Sequence, residues 1–199
     1  MIDKIRGSRG YRQLTEKAER ALRKAFEEEA RGRLRESIEK LREAVDAYSS
    51  LGEKGKVVEV DFFRAHCSAF QASRERTVEG FRSRIEEAIK ILSEVRRLYI
   101  KENLSIGRVE RDVRIGCCVA FINALRTRLE ENVAEKKKIF SRAIDELSKC
   151  LERLEKIGDY EKCGILSFWS GEVKLECAPY FEGEEKVNVL LEAAKDFGD

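Results

Sequence analysis

The stretch SIEKLREAVDAYSSLG, residues 37–52, carries apolar or small side chains at three- and four-residue spacing and ends on a glycine. That spacing lays one stripe along an α-helix, and glycine relieves the left-handed strain of a helix C-terminus. Two further stretches superpose on it, AIKILSEVRRLYIKEN at 88–103 and AIDELSKCLERLEKIG at 143–158. Ile38, Ile89, Ile144 and, more loosely, Val187 share one register, separated by 51, 55 and 43 residues. Three positions on stand Leu41, Leu92, Leu147 and Leu190; six on, Ala44, Val95, Cys150 and Ala193; ten on, Tyr48, Tyr99, Leu154 and Phe197. A helix written several times points to a repeat scaffold, in which each unit completes its core against its neighbour.

Working outward, Leu14 to Phe26 mark a helix before the first of these stretches, ending near Arg31-Gly32. Further helices are expected over about Val57 to Arg74, broken near Gly80, and from Phe81 to Tyr99. A fifth is centred on Ile115 to Phe121 and reads as buried on several sides. The sixth ends at Ile157-Gly158-Asp159, the seventh runs from about Glu161 to Cys177 before Pro179, and the eighth covers roughly Glu184 to Phe197. Small Ala65, Gly116 and Gly171 each fall thirteen residues after Gly52, Asn103 and Gly158, where a small side chain lets two helices approach closely. The expectation is an all-α protein of about eight antiparallel helices stacked as hairpins, with a basic arm at residues 1–10 and a single helical domain at 11–199. One proline in 199 residues and abundant Leu, Ala, Glu, Lys and Arg agree with that.

Charge narrows the partners. Forty Lys and Arg nearly cancel 38 Asp and Glu, so no global field draws nucleic acid or acidic membranes. Two Gln and four Asn among so many charges suggest a thermophilic source. The first twenty residues hold no apolar signal segment, and the longest uncharged run, Ile115 to Leu125, is eleven residues against the roughly 20 that span a bilayer. A cytoplasmic protein without membrane contact is expected. Six cysteines contain no C-x-x-C pair and His66 is the single imidazole, so zinc-ligand spacing is absent and most cysteines read as compact core residues.

Ser37, Ala88 and Ala143, with Ala44 and Cys150 seven residues on, resemble the small-residue pattern of the second helix in tetratricopeptide repeats, over roughly residues 34 to 199. Val95 is larger than that pattern has. Asp61, Asp112 and Ser167 stand where the family carries an aromatic, its closing proline is missing, and units of 43 to 55 residues are long for it. An irregular α-helical bundle is therefore the alternative architecture. The resemblance implies that the first helix of each hairpin lines a concave, mainly apolar groove for a peptide or helical segment of another protein. Through Ala65, Gly116 and Gly171 it assigns Phe62, His66 and Phe70, then Val113, Cys117 and Phe121, then Phe168, Glu172 and Leu175 to that surface. The family's carboxylate clamp is not matched, since Phe63, His66, Cys117, Trp169 and Glu172 occupy its places.

Arg108, Arg111 and Arg114 recur at the start of the fifth helix, where cations oppose the helix dipole. They await either an acidic partner segment, with Arg108 and Arg114 as contacts, or carboxylates of their own surface. Catalytic signals are poor: GEKGKV at Gly52 lacks the spacing and hydroxyl residue of a phosphate loop, and no nucleophile elbow or paired E-x-x-H motif occurs. The reading is a non-catalytic interaction scaffold that needs no cofactor or metal. The alternative is nucleic-acid binding by KIRGSRGYR, residues 4–12, whose arginines and Tyr11 suit phosphate contact and base stacking. The last helix holds more apolar positions than one face needs, so this end is expected to fold back or to form a homodimer.

Overall fold

The computed structural model describes residues 9–101 and 107–198. Among them are eight α-helices, one short 3-10 turn and no strand: α1 (Arg9–Ala30), α2 (Leu34–Ser50), α3 (Lys54–Ala72), α4 (Val78–Lys101), α5 (Arg108–Leu129), α6 (Val133–Ile157), α7 (Tyr160–Cys177), the 3-10 turn Ala178–Tyr180 and α8 (Gly183–Gly198). The protein is all-α. Three of the turns between helices fall where the glycines put them. Gly32, Gly52 and Gly158 have φ of 72°, 69° and 73°, a region that costs any residue with a Cβ. At the end of α6 the N–H of Gly158 donates to the Glu155 carbonyl at 3.1 Å and that of Asp159 to the Leu154 carbonyl at 3.0 Å, closing off the last carbonyls. Asn132 caps the other end, its side chain accepting from the amides of Ala134 and Glu135.

Some boundaries depart from the sequence reading for local reasons. Residues 1–8 of the basic arm, and 102–106 of the fourth connection with Asn103, lie outside the described residues. Arg9 and Gly10 already belong to α1, and the Tyr11 hydroxyl donates to Glu53 Oε1 at 2.7 Å. GEKGKV is a turn only as far as Glu53, because α3 opens at Lys54. Gly80 does not break a helix. Thr77 Oγ1 accepts from the Gly80 amide at 3.0 Å, so the glycine sits in the capped first turn of α4.

The helices divide into two compact units, α1–α4 and α5–α8. Within the first, α1 packs on α2, α2 on α3 and α3 on α4. Within the second, α5 packs on α6, α6 on α7 and α7 on α8, and α5 also meets α7. Three-residue turns after α1, α2 and α5 oblige neighbouring helices to run antiparallel.

Burial separates the helices into two kinds. On α2, α4 and α6 it follows one stripe: Ser37, Leu41, Ala44 and Tyr48; Ala88, Leu92, Val95 and Tyr99; Ala143, Leu147, Cys150 and Leu154. The small residue that opens each stripe is enclosed in all three. Ile38 is buried, whereas Ile89 and Ile144, at the same register, sit at the margin. On α3, α5 and α7 burial reaches several faces, and α5 encloses Val113, Cys117, Cys118, Ala120, Phe121, Ile122, Ala124 and Leu125. Gly116 allows the approach of α6, since a Cβ there would stand 3.1 Å from Cys150 Sγ. Five cysteines are buried, Cys163 is half-buried, and all six are free thiols.

The fourth copy is different. Of its register only Ala193 is enclosed, while Val187, Leu190 and Phe197 are exposed. Truncating a buried leucine of the stripe removes its transfer energy and leaves a cavity, at a cost of about 2–5 kcal/mol. An exposed leucine costs within about 0.5 kcal/mol. Urea unfolding should therefore show a large loss for Leu41→Ala and Leu147→Ala and almost none for Leu190→Ala.

Candidate functional site

In the first unit the outward face of α3 carries Phe63, His66 and Phe70, and α1 brings Phe26 and Glu29 against it. Phe26 and Phe63 meet edge to face with ring centroids 5.4 Å apart. His66 stacks on Phe70 at 6.3 Å, and the Arg74 guanidinium lies 5.5 Å from the Phe70 ring. Arg74 Nη1 also donates to the Gly32 carbonyl at 2.5 Å, tying the end of α3 to the end of α1. Burial draws the His66 pKa down to about 4, and Glu29 Oε1 lies 3.8 Å from Nε2. The imidazole is therefore neutral at physiological pH.

The second unit contains a cleft of about 670 Å³, lined by Glu155 of α6, by Tyr160, Cys163, Gly164, Ser167 and Phe168 of α7, and by Asp196 and Phe197 of α8. The missing side chain of Gly171 makes room for one of its walls, because a Cβ there would meet the Phe197 ring at 2.8 Å. Phe168 and Phe197 stand at 5.9 Å between centroids, and Phe168 leans on Trp169 at the same distance. Tyr160 is 73% exposed at the mouth. Two helices thus offer three aromatic side chains to one concavity, with the carboxylates of Glu155 and Asp196 beside them. Lys174 Nζ lies 3.0 Å from Asp196 Oδ2 and holds that end of α8 on α7.

The expected groove residues part company here. Phe62 and Phe121 are enclosed, at 1% and 0% exposure, and build the core rather than a surface. The correction has a physical cause: α3 and α5 are packed on more sides than a groove-lining helix with one covered face. Phe121 meets Trp169 at 5.1 Å. Glu172 is committed internally, accepting from Arg128 Nη2 at 3.0 Å. Arg128 itself, with a 3% exposed side chain, also reaches Glu176 at 2.6 Å and spreads over the Trp169 ring at 4.9 Å. Arg114 pairs with Glu110 at 2.8 Å and lies 3.7 Å from Asp159, so it belongs to the protein's own surface network. Arg108, 86% exposed at its side chain, is within 3.9 Å of Asp112. His66, Phe70 and Phe168 remain partly accessible, and of these Phe168 lines the cleft.

Sequence reasoning missed Arg128 and Tyr160. The first had a signal, since Glu172 and Glu176 stand four apart on one helix face and call for a cation. Tyr160 had none, because its place follows from how α6, α7 and α8 meet. Among the described residues no group of three His, Cys, Asp or Glu is arranged to hold a metal, and no helix is long and apolar enough to cross a membrane.

The neutral, half-buried His66 makes stability depend on pH. Between pH 6.5 and about 4 the unfolded chain binds a proton that the folded chain refuses, so folding weakens as pH falls through that window, by up to about 3 kcal/mol. Urea unfolding at pH 7 and pH 4.5 should show a larger acid loss for the native protein than for His66→Gln. No protein-family model matches the chain, and neither does any curated protein or solved structure.

Proposed function

We propose that the protein is a non-catalytic helical scaffold, built from tetratricopeptide-like hairpins, that binds a segment of another protein and seats an apolar side chain of that segment in the α6–α8 cleft. The observation that carries this reading is the convergence of Tyr160, Phe168 and Phe197 on one concavity. Aromatic rings present a large apolar area at small entropic cost, and buried aromatic anchors dominate many interfaces. Glu155, exposed at the same cleft, favours a segment with a Lys or Arg next to its apolar anchor. The repeated hairpins supply a rigid frame for such a surface. A cytoplasmic setting is part of the proposal, since six free thiols suit a reducing compartment.

The test is selection from a displayed peptide library against the purified chain, followed by titration of the enriched peptides. Enrichment of an apolar residue adjacent to a basic one is expected. Tyr160→Ala, which removes an exposed side chain and leaves the core untouched, should weaken binding by about tenfold or more, equivalent to about 1.4 kcal/mol. Gly171→Ala pushes the Phe197 ring out of its seat and should weaken the same peptides. Peptides that bind both variants as tightly as the native chain would show that the cleft is not their site.

A further inference from the structure

Cysteine is used unevenly in this chain, and one pair stands apart. Cys117 of α5 and Cys150 of α6 meet across the contact between those helices, with a hydrogen bond between their thiols. Gly116 makes the approach possible. Its missing side chain leaves the Cys150 sulfur 3.1 Å from where a Cβ would stand, so α5 and α6 cross with little between their backbones. A disulfide needs its two α-carbons within about 7 Å, and a glycine with two cysteines at one helix crossing is a composition that allows it. The two cysteines are 33 positions apart and sit on neighbouring helices joined by a three-residue turn.

The pair is also asymmetric. The Cys117 S–H donates to the Cys150 sulfur, which holds the Cys150 thiol below its ordinary pKa, and Arg153 acts in the same sense against burial and Glu146. The same bond, together with burial, keeps the proton on Cys117 in spite of Lys162. Cys150 retains 4% of its surface, whereas Cys117 and Cys118 are at 0%. The thiolate is the reactive form of cysteine, so Cys150 is the sulfur that a small oxidant attacks first. Burial pushes the thiols of Cys67 and Cys177 the other way, up to about 12 and about 11, and raises that of Cys163.

We propose that Cys117 and Cys150 form a peroxide-reactive site, reduced at rest and closed into an α5–α6 disulfide by a hydroperoxide. The Cys150 thiolate attacks one peroxide oxygen, the O–O bond breaks, and Cys150 becomes a sulfenic acid. With hydrogen peroxide the departing oxygen leaves as hydroxide and takes up the proton that Cys150 had released. The Cys117 sulfur then attacks the Cys150 sulfur, and the S–O bond breaks as the sulfenic hydroxyl leaves with the Cys117 proton as water. Two thiols and one hydrogen peroxide thus give one disulfide and two waters, the sulfurs supplying both electrons. A second thiol already in contact diverts the sulfenic acid from irreversible oxidation to sulfinic acid.

The test treats the reduced full chain with hydrogen peroxide and blocks the remaining thiols with N-ethylmaleimide in mildly acidic denaturant. The tryptic map is then read without reduction. The peptide IGCCVAFINALR, residues 115–126, should be joined to CLER, residues 150–153, and fragmentation should place the bond at Cys117 rather than Cys118. Dithiothreitol added before the block should abolish the joined species. Cys117→Ser should stop at a Cys150 sulfenic acid that dimedone captures, and Cys150→Ser should leave Cys117 a thiol, with circular dichroism showing both variants still helical. The native map decides alone if either variant does not fold. Cys150 still labelled as a thiol after Cys163 is oxidised, Cys150 joined to any other cysteine, or a bond between Cys117 and Cys118 would overturn the proposal.

Discussion

Helices in this protein are held at short range by a repeated pattern of small and large side chains on α2, α4 and α6. A small residue opens each stripe, Ser37, Ala88 or Ala143, and a leucine follows four positions on. Small side chains set the closest approach, and the large ones that follow fill the space beyond it at near-crystalline density. The constraint falls most heavily on α3 and α5, which are enclosed on several faces. Those helices accordingly collect residues that outer helices do not need, such as Ala65, Ala69, Gly116 and Ala120, where bulk would separate the neighbours.

Much of the fold was legible because these stripes obey the helical period and end on glycine. Helix number, the stops at Gly32, Gly52 and Gly158, and the enclosed centre of α5 all follow from local spacing. What local spacing does not encode is which side of a helix its neighbours cover. Phe62 and Phe121 have the same spacing as surface aromatics and lie in the core. Arg128 sits among arginines near the end of α5, in a position that reads as solvated, and is buried because Trp169, Glu172 and Glu176 close over it. Its ion pairs and ring contact keep a guanidinium inside at tolerable cost.

The cleft and the exposed apolar face of α8 share an origin. By the fourth copy the pattern loses its hold: Val187, Leu190 and Phe197 occupy the repeated register without the burial that the other copies give it. The packing side of α8 is instead fixed by Ala193, by the two ion pairs of Lys174 and by the ring of Phe197 over Gly171. That rotation leaves one apolar face open to water and turns aromatic rings toward a concavity. The cleft and the exposed apolar residues of α8 thus both lie where the shared side-chain register loses its burial.

Whether one side-chain register builds the core three times and is released at the fourth can be read by hydroxyl-radical footprinting with mass spectrometry at submicromolar protein. Leu41, Leu92 and Leu147 should resist oxidation, while Leu190 and Leu191 should oxidise at rates near those of a free peptide. Oxidation of Leu92 or Leu147 as fast as that of Leu191 would contradict the account.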